Sequence, residues 1–82
     1  MEDKLNIIEV LHENNTMYFY LGCLISSDNL YTLDDYEKSL TKLYELKNNI
    51  DSANINDEQK NKYITYIDEG INILTQEMKQ FK

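Results

Sequence analysis

The chain contains no proline, no arginine and no tryptophan, and it has one cysteine, one histidine and two glycines. Without proline, nothing obliges a helix to kink or stop. The missing arginine, with 15 acidic residues against 8 lysines and a net charge of −7, removes the basic face and the guanidinium forks that hold phosphates and guanines. Direct nucleic-acid binding is therefore not expected, and an anionic membrane surface is disfavoured for the same reason. Cys23 has no second cysteine to pair with, which fits a reducing compartment. No apolar run approaches the roughly twenty residues that a membrane span needs.

Met1-Glu2-Asp3-Lys4 is acidic where a secretory leader would be basic, so the reading is cytoplasmic, in the host cell if the gene belongs to a phage. In that compartment the sequon Asn14-Asn15-Thr16 carries no meaning. Ten asparagines, nine isoleucines and seven tyrosines beside a single alanine and a single valine point to an AT-rich genome, of a low-GC bacterium or one of its phages. At 82 residues the chain forms one domain that buries only roughly 60 to 65% of its unfolded surface.

Catalytic machinery is also missing. There is no glycine-rich phosphate loop, no Asp-x-Asp calcium loop and no nucleophile elbow. Asp34-Asp35 and Asp57-Glu58 fall at helix starts, where the helix dipole accounts for them; Asp68-Glu69 is the third such pair. Glu9-Val10-Leu11-His12 has the Glu-x-x-His spacing of di-iron sites, but that chemistry needs the step twice and two further inward carboxylates. Cys23 sits among Gly22, Leu24 and Ile25 with no base or cation in sequence to activate it, so a buried, inert thiol is expected. The expectation is no enzyme, no metal and no cofactor.

What the chain does have is helical periodicity. Leu5, Ile7, Ile8, Val10 and Leu11 share one face, with Glu2, Asn6, Glu9 and Glu13 opposite. His12-Glu13-Asn14-Asn15-Thr16 then weakens the pattern, as a break or as a polar stretch of one helix. The reading taken is a continuous helix over residues 2–27. Residues 26–31 have loop chemistry. Thr32 is placed as the N-cap of a second helix over 33–50, with Leu33, Tyr36, Leu40, Leu43, Lys47 and Ile50 as its stripe and Tyr44 and Leu46 beside it. Asn56, followed by Asp57, Glu58 and Gln59, starts a third helix over 57–81 with the stripe Ile64, Ile67, Ile71, Leu74, Met78 and Phe81. Gly70 in its interior marks the close approach of another helix. The fold class is all-α: a small antiparallel three-helix bundle, or a helical bundle that dimerises.

The most apolar stretch, residues 17–25, reads MYFYLGCLI and presents apolar groups in every direction on a helix. One face goes to the core and another is left over. Met17, Tyr20, Leu21 and Leu24 follow i, i+3, i+4, i+7 and partly overlie the arc of Glu2, Asn6, Glu9 and Glu13, so they are the candidate interface, joined by Tyr66. Tyrosine suits such a role, while Tyr36 and Tyr63 belong with the core stripes. The functional expectation is a small acidic protein-binding module, a stoichiometric inhibitor, antitoxin, immunity or phage anti-defence protein that occludes a protein partner with a basic surface. Mimicry of nucleic acid ranks below this, since the lysines dilute the field. The alternative is a homodimer or assembly subunit without catalytic activity.

Overall fold

Asparagine 15 adopts φ 58°, the left-handed region that asparagine tolerates better than most side chains, and this one residue divides the expected first helix. The backbone N–H of Thr16 donates to the carbonyl of Leu11 (2.9 Å) and that of Asn15 to the carbonyl of His12 (3.1 Å). These are the paired closing bonds of a Schellman ending. The computed structural model describes residues 6–26 and 30–81, and among them runs α1 (Ile7–Glu13), α2 (Met17–Ile25), α3 (Leu33–Ser52), α4 (Asp57–Met78) and a final 3-10 turn, Lys79–Phe81. The described residues are all-helical in their regular structure, with four α-helices in place of three. The continuous helix over 2–27 is thus corrected, while residues 2–5 and 27 of that expectation lie outside the described residues.

Because it is cut short, α1 is free to lie against the turn that joins α3 and α4. The Asn6 side chain caps α1 by accepting from the N–H of Ile8 (2.9 Å), and its Nδ2 donates to the carbonyl of Asn49 (2.9 Å) and to Ser52 Oγ (3.1 Å). The Glu9 carboxylate accepts from the N–H of Asn54 (2.8 Å), and Ile8 is wholly buried. Asn6 and Glu9, two of the four polar residues that the helical projection placed opposite the stripe, therefore tie α1 to the end of α3 and the turn after it.

Helix α3 begins with a complete capping box: Thr32 Oγ1 accepts from the N–H of Asp35 (3.2 Å), and the Asp35 carboxylate accepts from the N–H groups of Thr32 (3.1 Å) and Tyr31 (3.0 Å). Asn56 caps α4 by accepting from the N–H of Gln59 (2.8 Å). Contacts pair the two helices end to end: Tyr36 Oη donates to Glu77 (2.8 Å), Lys47 Nζ to Asp68 (2.7 Å) and Lys60 Nζ to the Asp51 carbonyl (3.3 Å). Sequence order is thereby reversed across the pair, the start of α3 lying beside the end of α4.

Burial keeps Tyr36, Leu43, Ile50, Ile67 and Leu74 of the expected stripes and departs from them by one position elsewhere. On α3 it follows Tyr36, Ser39, Leu43, Leu46 and Ile50, and on α4 Tyr63, Ile67, Gly70 and Leu74. Leu40, Ile64, Ile71 and Met78 form the flanks, while Leu33 and Phe81 are well exposed. Lys47 is half-exposed in its ion pair with Asp68.

On α4 the offset falls at Gly70. A methyl group built there would lie 2.6 Å from Ile25 Cγ1, so α2 ends directly on the α4 backbone and the absent side chain is the contact surface. Gly22 differs, because a methyl there would meet Tyr66 Oη at an ordinary 3.8 Å. Gly22→Ala is therefore expected to raise stability by about 0.5–1 kcal/mol through helix propensity. Gly70→Ala is expected to lower it, since overpacking at about 1–3 kcal/mol outweighs a propensity gain of about 1 kcal/mol. Removing Ile25 Cδ1, which the added methyl would also overlap, in the double variant Gly70→Ala/Ile25→Val should recover part of the loss, which urea denaturation of the four proteins would read.

The molecule measures 44 × 29 × 19 Å, and the shortest dimension is about two helix diameters. A body this thin covers only the inner side of α2. No helix among the described residues is long and apolar enough to cross a membrane.

Candidate protein-binding face

Once Met17 and Leu21 are fixed inward, the helical repeat decides the rest of α2. They are 1% and 0% exposed, and Tyr20, Leu24 and Ile25 pack half-buried beside them. This is the i, i+3, i+4, i+7 arc, and it is the core-facing arc. The expectation that Met17 and Leu21 stand on the outer face is corrected: the break at Asn15 turns α2 independently of α1, so the polar arc of the first helix does not continue onto it. Tyr20, Leu24 and Tyr66, from the same expected set, sit at the margin of the core.

The outward arc belongs to Tyr18, Phe19 and Cys23. Phe19 is 76% exposed and Tyr18 is 49% exposed, and the Cys23 thiol is exposed as well. The buried thiol expected from its apolar neighbours is corrected, because position 23 falls opposite the Met17–Leu21 arc whatever surrounds it in sequence. Tyr18 and Phe19 were legible as the complement of the buried stripe. An all-apolar run, however, gives no sign of which stripe is buried.

Beside this arc the rings of α2 and α4 meet. Tyr18 lies with its centroid 5.3 Å from that of Tyr63 and 5.4 Å from that of Tyr66, both inclined, within the range of favourable aromatic pairs. An open cleft of about 420 Å³ is lined there by Tyr18, Asn61, Lys62, Thr65, Tyr66 and Glu69. Deeper in, Tyr63 Oη and His12 Nδ1 share a hydrogen bond of 2.6 Å, with the rings in edge contact. His12 and Glu9 thus each have a partner inside the fold, and no three His, Cys, Asp or Glu residues among those described could hold one metal ion.

A second groove, of about 460 Å³, runs between the start of α3 and the end of α4 and is lined by Leu33, Glu37, Leu40, Thr75, Met78, Lys79 and Phe81. The Phe81 ring leans on Tyr36 at 5.2 Å. Apart from Glu37 and Lys79 its walls are mostly aliphatic.

Titration shifts have structural causes. Burial, then the neighbouring Tyr18, raises the Tyr63 phenol above its usual 10.0. The bond to Glu77, then burial, raises Tyr36, and the N–H groups of Tyr31 and Thr32 hold Asp35 below its usual 3.8. Both phenols ionise more easily in the unfolded chain, so the stability they contribute is intact below pH 10 and is lost as pH rises through their raised values. Asp35 acts with the opposite sign, contributing above its ordinary value and losing that contribution as pH falls. Thermal melts should therefore weaken on the alkaline limb. Tyr63→Phe should make that limb shallower, at a neutral-pH cost of about 1 kcal/mol for the lost hydrogen bond.

The chain matches no protein-family model, no curated protein and no solved structure.

Proposed function

We propose that the chain is a non-catalytic protein-binding module that occludes a partner protein stoichiometrically, as an inhibitor, antitoxin, immunity or phage anti-defence protein does. In this reading α2, α3 and α4 form an antiparallel three-helix frame, α1 closes one end, and the outer arc of α2 meets the partner in the cytoplasm. The observation that carries it is Phe19, 76% exposed and next to half-exposed Tyr18 on a helix whose other side is sealed in the core. Large aromatic side chains held in place without cover are the usual anchors of protein interfaces. The acidic surface, at net charge −7, would speed and select the encounter with a basic partner.

The same charge opposes self-association, since each added copy brings a further −7. Analytical ultracentrifugation tests this. The pure chain should sediment as a monomer at high micromolar concentration, and with its native partner as a complex of fixed stoichiometry. A concentration-dependent dimer that Phe19→Ser dissolves would replace the proposal with the homo-oligomeric subunit.

A further inference from the structure

We propose that the cleft between Tyr18 and Tyr66 receives a cationic side chain of the partner, an arginine, as the specificity contact of the interface. This rests on the protein-binding reading and gives it a chemistry. Two phenol rings on different helices, 5.4 Å apart at 52°, border an open cleft of about 420 Å³. Tyr18 is half-exposed and Tyr66 half-buried, so the rings are held in place while the cleft stays open to solvent. Aromatic faces carry negative quadrupole density and attract cations.

The polar lining is weighted towards acceptors. Glu69 brings a carboxylate and Asn61 an amide carbonyl, and the Thr65 hydroxyl, whose proton goes to the Asn61 backbone carbonyl at 2.9 Å, is left with lone pairs. Lys62 also lines the cleft, and a cation bound there must be drawn past it by Glu69 and by the field of the whole chain, net −7. A planar guanidinium suits this lining better than an ammonium, since it can stack on a phenol and fork to a carboxylate together. A second copy could bring only lysines, because the chain has no arginine, so an arginine in the cleft comes from a different protein.

Short capped peptides test the subsite on the whole chain: acetyl-Gly-Arg-Gly-amide, its lysine counterpart and its norleucine counterpart, each titrated into isotopically labelled protein by NMR. The arginine peptide should produce saturable shifts centred on Tyr18, Tyr66 and Glu69 and bind about two- to fivefold more tightly than the lysine peptide, with the norleucine peptide weakest. Glu69→Gln, at an exposed position, and Tyr18→Ser should each weaken arginine binding by about two- to fivefold, with the fold checked by circular dichroism. Unsaturable shifts spread over the acidic surface, equal binding of norleucine, or indifference to both substitutions would overturn the subsite. If partner binding still depended on Phe19 after such a failure, the protein-binding reading would stand and only the arginine contact would fall.

Discussion

Replacing Leu43 with alanine lowers the stability of the folded chain by about 2–5 kcal/mol, and Ile67→Ala costs a similar amount. Both side chains are fully buried, and Leu43 reaches the Gly70 position, 3.7 Å from where a methyl would stand, at the point where three helices converge. A domain of this length has a total stability of about 4–12 kcal/mol. Either truncation would then remove a large share of it and bring partial unfolding within reach at physiological temperature. Leu40→Ala and Ile71→Ala delete the same kind of side chain beside Ser39 and Gly70 of the buried faces, at half-buried sites, and should cost less. Urea unfolding of the four variants would place the centre of the core, and equal losses at all four would show that it is misplaced here.

Phe19→Ser weakens binding to the partner by about 2 kcal/mol or more, some thirtyfold, as loss of a central aromatic anchor does. Its melting temperature should hardly move, because substitutions at exposed positions shift stability by no more than about 0.5 kcal/mol. Met17→Ser is the control. It sits two residues earlier in the same apolar run, but at 1% exposure, and should lose stability and binding together through a cavity and a buried hydroxyl. Leu24→Lys, half-buried against the core, should also destabilise. Calorimetric titration beside thermal melts separates these cases. A Phe19→Ser protein that bound normally would move the working surface elsewhere, with the Leu33–Phe81 groove the next place to look.

The signals that could be read in the chain were those with short-range causes. Thr32 and Asn56 mark helix starts because a small polar side chain satisfies free N–H groups within three residues, and both make those bonds. Asn15 is different. An asparagine inside a helix is only mildly unfavourable, so sequence alone does not tell a polar turn of helix from a Schellman ending, and α1 must dock against Asn49, Ser52 and Asn54 for the break to be worth its cost. The stripes were legible to within one position. Gly70 contributes contact through backbone and has no side chain to count, which drew the expected line towards Ile71. The proposed binding face was the least legible part, because in residues 17–25 the pattern has no polar side from which to take direction. Only the seating of Met17 and Leu21 shows that Tyr18, Phe19 and Cys23 point outward.

Cys23 supplies the most direct test, being the single thiol of the chain and exposed on the proposed face. The measurement is its rate of reaction with a thiol reagent, in the free protein and in the complex with the partner. Rapid, single-phase labelling of the free chain, close to the rate of the unfolded chain, and strong protection once the partner is bound are expected. Slow labelling of the free monomer would contradict the outward placement of this arc, and labelling that the partner leaves unchanged would contradict its role in binding.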